Sequence, residues 1–218
     1  NFDLLRLVAA SQVALLHGSD HLAVDPNAVT RALAYLPGVP AFFFISGFLI
    51  SASWERNPDA RNFFLNRFLR IFPLYYLVIF TCLVFIPHVL PAALSLAVPA
   101  ETATKMQAKI DKYVEVSEYK YWFWFYLCNV PMAVYGQRIG GVLSVCWSLA
   151  IEEQFYLVWP LVVRFASRRM LMRVCAGLFA FALVWRTALE TLLPRLGWGP
   201  GSVFISTYVS TFSHVDAL

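Results

Sequence analysis

Two adjacent carboxylates, Glu152 and Glu153, lie inside the apolar run Trp147 to Leu161, which reads WSLAIEEQFYLVWPL. Nothing else between Val142 and Val163 is charged. An acid at the centre of a membrane helix costs roughly 2.5 to 3.5 kcal/mol on insertion scales, so these two should face protein, water or a ligand rather than lipid. Successive residues turn ~100° around a helix, so the two acids need not do the same job. They suit proton transfer or charge stabilisation, and a structural role bonding neighbouring helices is equally open. His17 is a second candidate: an imidazole titrates near neutrality and can take a proton from a hydroxyl, a role worth ~10² to 10⁴ in rate. It could also simply cap a span at the interface. Arg6 lies eleven residues before His17. That spacing returns both to one helix face, ~16 Å apart along the axis, where they cannot touch but can line one groove. Arg67 and Arg70, three residues apart, share a helix face and suit bidentate recognition of phosphate, or serve as positively charged anchors. The four cysteines, Cys82, Cys128, Cys146 and Cys175, lie in apolar segments without metal-ligand spacing. They are expected to be packed thiols, and no metal site is expected.

The elements that must carry these groups are helices of membrane length. Residues are 60% hydrophobic and only 14% charged, where a soluble domain carries about 25% charged residues. The apolar stretches lack the short alternation of an outer-membrane barrel, so the backbone must satisfy itself in helices. The expected fold is all-α, a polytopic integral membrane bundle. The net charge of +4 gathers at one membrane face and is topological; no nucleic-acid partner is expected.

In chain order, Phe2 to His17 reads as a first helix in which Asp3 can pair with Arg6. Gly18 to Tyr35 reads as a polar loop and Leu36 to Ser53 as a second span. The segment Trp54 to Arg70 brings four arginines against Glu55 and Asp59, which makes it cytoplasmic by the positive-inside rule. A third helix leaves from Ile71 and ends near Pro87 or Pro91. Glu101 to Lys120 carries Met106, Ile110, Tyr113 and Ser117 at helical spacing, the pattern of an amphipathic helix on the outer surface. Arg164, Arg168, Arg169 and Arg173 follow the Glu152 helix with no acid between Gln154 and Leu189, so that helix runs outside to inside. Tyr121 to Tyr135 must then begin and end outside, and its length and its break at Asn129 and Pro131 predict a re-entrant or interfacial segment. Val174 to Leu193 is a further span, with Arg186 and Glu190 as a self-neutralising pair, and Val203 begins a last one. The chain opens without a methionine and stops inside an apolar run, so a fragment of a longer protein is expected.

Four of these stretches, in order, resemble the membrane-bound acyltransferase 3 family. FDLLRLVAASQVALLH is similar to the family's opening helix, with its arginine and histidine falling on Arg6 and His17. FFFISGFLI at Phe42 to Ile50 resembles its second helix, NRFLRIFPLYY at Asn66 to Tyr76 its paired-arginine segment, and WSLAIEEQFYLVWP its most recognisable motif. The closing HVDAL resembles the start of another family segment, one usually continued by several more helices. The resemblance implies one acyltransferase 3-like transmembrane domain over 1–218, its C-terminal helices lying beyond this chain, in the inner membrane. It implies an O-acyltransferase that moves an acyl group, acetyl in the simplest case, from acyl-CoA as co-substrate to a hydroxyl of an envelope or exported carbohydrate. No bound cofactor is expected. His17, Arg6, Glu152 and Glu153 would be catalytic, and Arg67 and Arg70 would hold acyl-CoA from the cytoplasm. Charged residues inside helices also mark substrate paths, so a transporter or flippase for a polar substrate is the alternative.

Overall fold

The computed structural model describes residues 2–21, 38–56, 59–92 and 100–216; it is helical, with no strand among the described residues. Two compact units are formed, Asn1–Asn57 with Phe155–Leu183 and His214–Leu218, and Pro58–Gln154 with Val184–Ser213.

In the first unit, α1 (Phe2–His21) packs on α2 (Gly38–Arg56). α1 runs a turn past the expected end at His17; the rest of the expected loop, 22–35, and the first two residues of the expected second span, 36–37, lie outside the described residues. The absent side chain of Gly38 is what permits the approach: a Cβ there would overlap the carboxamide of buried Gln12 on α1. The later half of α7 (Cys146–Phe165) also belongs here. Trp159 Nε1 on α7 donates to Ser51 Oγ on α2 at 2.9 Å. Buried His214 meets Phe43 edge to face, with centroids 5.2 Å apart.

The second unit is built around α3 (Ala60–Phe80). Asp59 caps it, accepting from the Arg61 backbone N–H at 2.9 Å and so satisfying an otherwise orphaned donor. The helix thus begins six residues before Asn66, and Arg61, Arg67 and Arg70 lie on helix rather than in the expected connecting loop. It passes Pro87 and is described through residue 92, beside Pro91, the second of the two expected ends. Residues Thr81–Val89 widen into a π-helical stretch that returns to α-helix through residue 92, and the wider turn accommodates the missing proline donor. α4 (Ala100–Ser117) packs along this stretch, burying Ile110 and Ser117 and half-burying Tyr113, while Met106 stays exposed. The predicted amphipathic face is real over its last two turns.

The segment expected to break at Asn129 and Pro131 is two short helices, α5 (Lys120–Trp124) and α6 (Asn129–Tyr135). The break falls earlier, at 125–128. Pro131 sits in the first turn of α6, where its missing N–H costs nothing. Gly136 closes α6 at φ +60°, and Trp198 and Ser202 fill the space a Cβ would need. A 3₁₀ turn, Gly141–Val145, leads into α7; α8 (Arg168–Arg195) and α9 (Pro200–Val209) complete the chain's longer elements.

Two stretches are long and apolar enough to cross a membrane, Arg61–Ala92 and Arg168–Arg195; the apolar part of α2, Gly38–Ser53, is shorter. Both long stretches expose large apolar side chains: Leu69, Leu74 and Leu77 on α3 are each more than 60% exposed, and so is Val184 on α8. The thiols differ from one another: Cys128 is buried, Cys82 and Cys146 are half-buried, and Cys175, expected to be packed, is exposed.

Candidate functional site

Glu152 and Glu153 fall in the second turn of α7 and are both buried, at 5% and 9% exposure. Interior placement is what two acids in an apolar run require. The next residue, Gln154, holds the surrounding backbone. Its Nε2 donates to the Tyr126 carbonyl and to Asn129 Oδ1, each at 2.9 Å, and its Oε1 accepts from Thr211 Oγ1 at 2.7 Å. Asn129 Nδ2 in turn donates to Thr211 Oγ1 at 2.8 Å and to the Val209 carbonyl at 3.2 Å. One amide from α7 and one from the start of α6 therefore close a polar ring with the chain just after α9. Each member satisfies another, the condition under which a buried polar network rigidifies its surroundings.

That ring fixes Tyr126, the described non-glycine residue at positive φ, 54°. Its ring stacks on Tyr75, with centroids 4.2 Å apart and planes at 19°, and lies 5.3 Å from Phe72. The hydroxyls beside it are already engaged: Tyr75 donates to the Phe123 carbonyl at 2.7 Å and Tyr76 to the Trp124 carbonyl at 3.1 Å. These bonds tie α3 to the end of α5. Among the described residues, two buried polar atoms of this wall have no hydrogen-bond partner, Tyr126 Oη and Glu153 Oε1. Tyr126 and Tyr76 both lie within electrostatic reach of the Glu153 carboxyl.

Arg67 and Arg70 are not equivalent. Arg67 is half-buried, its guanidinium 4.7 Å over the Phe63 ring and within electrostatic reach of Glu153. Arg70 is exposed. The three-residue spacing places them on one side of α3, but their surroundings differ. Arg6 and His17 both belong to α1, which is one unbroken helix, so their backbone separation is the expected one; their side chains lie outside the described residues. Arg186 on α8 donates through Nη1 to the Ser213 carbonyl at 2.7 Å. No group of three or more His, Cys, Asp or Glu side chains among the described residues is placed to hold a metal ion.

Tyr126, Asn129, Gln154 and Thr211 are the residues that sequence reasoning did not single out. Gln154 has one signal, its place beside the acids in an apolar helix; Asn129 enters only as a breaker, and Tyr126 only as one member of the Tyr121 to Tyr135 segment.

The family profile described as an acyltransferase domain, of the acyltransferase 3 type, matches residues 1–212. Nodulation protein 10 of Rhizobium leguminosarum bv. viciae is 32% identical over 77% of this chain and 45% of its own length. The peptidoglycan O-acetyltransferase OatA of Listeria monocytogenes is 30% identical over 80% of this chain and 27% of its own. The O-acetyltransferase OatA of Staphylococcus aureus is 31% identical over 67% and 23%. The chain thus spans less than half the length of these curated relatives. No solved structure matches it.

Proposed function

This chain belongs to the acyltransferase domain family, matched over residues 1–212, and from that premise we propose that it is the acceptor-modifying membrane part of an O-acyltransferase that acetylates a hydroxyl of a cell-envelope carbohydrate. Peptidoglycan O-acetyltransferase, the name of the Listeria relative, supports the reaction and the acceptor class. The observation that carries the reading is the buried pair Glu152 and Glu153 on α7 with Arg67 of α3 in electrostatic reach. Ionisable groups are costly in such an environment and are kept there for chemistry or for binding. The long apolar stretches of α3 and α8, with their exposed leucines and valine, support a multi-pass protein in the cytoplasmic membrane.

The donor in this proposal is acyl-CoA. Its phosphates sit at Arg70 and Arg67, and its long arm runs along α3 into the protein. The acceptor hydroxyl loses its proton to the imidazole of His17 as its oxygen attacks the thioester carbonyl. The carbon–sulfur bond then breaks, and the leaving thiolate takes the proton back from the imidazolium. Arg6, on the face of α1 shared with His17, lines the path. Attack by the imidazole itself, giving an acyl-histidine that the acceptor then cleaves, uses the same groups in two steps.

Incubating the full-length protein with labelled acetyl-CoA and fractionated envelope glycans tests the reading. Label is expected in a glycan fraction with wild-type protein and to be lost with His17→Ala. Transfer that persists undiminished in His17→Ala removes the histidine from the reaction, and no transfer to any glycan by wild-type protein removes the acceptor class.

A further inference from the structure

The corner where α7 ends and α8 begins carries positive charge that nothing near it balances. Arg164 lies in the last turn of α7, Arg168 and Arg169 open α8, and Arg173 follows a turn later; all four are exposed. No acid occurs between Gln154 and Leu189, and among the described residues no carboxylate pairs with any of the four. Helix stability does not account for them. The first turn of a helix favours acids and disfavours cations, yet α8 has no acid there and begins with two arginines. Its capping need is met by a neutral group, Ser167 Oγ, which accepts from the Met170 backbone N–H at 3.3 Å. The arginines of α3 differ in this respect, since that helix begins under the carboxylate of Asp59. Between the arginines of the corner stand exposed apolar side chains, Phe165 at 78%, Met170 at 55% and Met172 at 61%. Cations interleaved with apolar side chains are the composition of a segment lying where lipid headgroups meet acyl chains.

Length sets the depth of this corner. The 28 residues of α8 extend ~42 Å against a hydrocarbon core of ~30 Å, so about two turns project beyond the core. The first six residues hold three arginines, and that is the end that stays out. This inference rests on the membrane reading above. We infer that Arg164, Arg168, Arg169 and Arg173 form a docking surface for the headgroups of anionic phospholipids at the cytoplasmic face, with Phe165, Met170 and Met172 entering the acyl boundary. A guanidinium meets a phosphate diester with two parallel N–H···O bonds. Arg169 and Arg173, four residues apart, share a face of α8, and only four positions of chain separate Arg164 from Arg168. All seven side chains belong to one compact unit. The apolar members decide between a lipid and a soluble anion, because a phosphate in solution gains nothing from an exposed phenylalanine and two methionines. The charge here therefore does more than orient the chain: it selects the lipid that surrounds the joint between α7 and α8.

The test titrates the full-length protein, purified in neutral detergent, with phosphatidylglycerol or phosphatidylcholine of the same acyl chains, counting retained lipid by native mass spectrometry. Wild-type protein is expected to hold phosphatidylglycerol about tenfold more tightly than phosphatidylcholine, with the preference shrinking as salt rises. Arg164→Gln, Arg168→Gln, Arg169→Gln and Arg173→Gln together should bring the two lipids within about twofold of each other. Arg61→Gln with Arg195→Gln, which removes exposed charge elsewhere, should leave the preference intact. Arg→Lys at the same four corner positions keeps the charge, and with it the topology, but loses the fork; it should cut the preference about threefold and serves as the second variant should the glutamine set fold poorly. Equal retention of both lipids by wild type, a preference that survives in both corner variants, or an equal loss in the Arg61 and Arg195 control each overturns the inference. Displacement of the bound lipid by glycerol 3-phosphate at matched concentration assigns the surface to a soluble anion and overturns it too. Wild-type protein that stays in solution without detergent or lipid overturns the membrane reading itself.

Discussion

Arginine spacing alone makes Arg67 and Arg70 look like twins, and their surroundings separate them. Arg67 is half-buried, with its guanidinium over the Phe63 ring and within electrostatic reach of the Glu153 carboxyl; Arg70 is exposed. Without ligand, Arg67→Ala should therefore destabilise the protein by up to about 1 kcal/mol, the range of a solvent-screened charge pair, whereas Arg70→Ala should stay within about 0.5 kcal/mol. Thermal unfolding of the two variants in the same detergent decides this, and equal midpoints would mean that the electrostatic attraction to Glu153 contributes nothing. With donor present both should weaken acyl-CoA binding, by roughly 1.5 to 3 kcal/mol for each charged hydrogen bond lost. His17→Ala should instead leave donor binding nearly intact and cut turnover by ~10² or more. Calorimetric titration with a non-hydrolysable acyl-CoA analogue, set beside turnover, separates the roles; loss of donor binding in His17→Ala with normal binding in the double arginine variant would reverse them. The acids should also separate, because Glu153 lies within electrostatic reach of Arg67 and Tyr126 and Glu152 points about 100° away around α7. Glu152→Gln and Glu153→Gln are expected to differ in activity, and full activity in both would make the pair incidental.

Short helices cannot hold themselves in place, so α5 and α6 depend on what grips them. Isolated helices of five and seven residues are far below the length that is stable in water. The grip is the Gln154–Asn129–Thr211 ring at the start of α6 and the Gly136 turn at its end. Gln154→Leu removes one member and leaves Asn129 and Thr211 under-satisfied, a loss of about 1–3 kcal/mol. Hydrogen exchange should localise the loosening to 126–135 and 209–211, and uniform loosening over both units would argue against a local clamp. At the other end, Gly136→Ala forces a side chain into a left-handed turn already filled by Trp198 and Ser202, at about 2 kcal/mol or more. Gly177→Ala is the matched control: it lies within α8 with nothing within 4 Å of the added carbon, and it should stabilise by about 0.5–1 kcal/mol. The same reasoning explains why Pro87 does not end its helix. The neighbouring turns widen and α4 packs along them, so tertiary packing outweighs a local breaker.

Over the whole molecule, the positive-inside argument sets a topology that labelling can test. A single cysteine at Gln137 is expected to react with a membrane-impermeant maleimide from outside the cell, and one at Arg168 only after permeabilisation; cytoplasmic labelling at Gln137 overturns the outside-to-inside direction of α7. What the sequence determined by itself was whatever depends on composition and short-range period. Charge content and run lengths implied an all-helical chain with membrane-length apolar segments. The apolar surroundings of Glu152 and Glu153 required their burial, because an acid in such a run has nowhere affordable to go but the interior. Motif order pointed to the family. Spacing could not reveal partners distant in the chain. Gln154 meets Asn129 across 25 positions and Thr211 across 57, and a hydrogen bond of that span exists only once packing has brought the elements together. The same holds for the inequality of Arg67 and Arg70, identical by period and divided by their neighbours, and for the open hydroxyl of Tyr126. A run of aromatics looks uniform in sequence because burial, stacking and hydrogen-bond satisfaction are properties of surroundings, and only the tertiary structure decided which of those rings would keep a polar atom unspent.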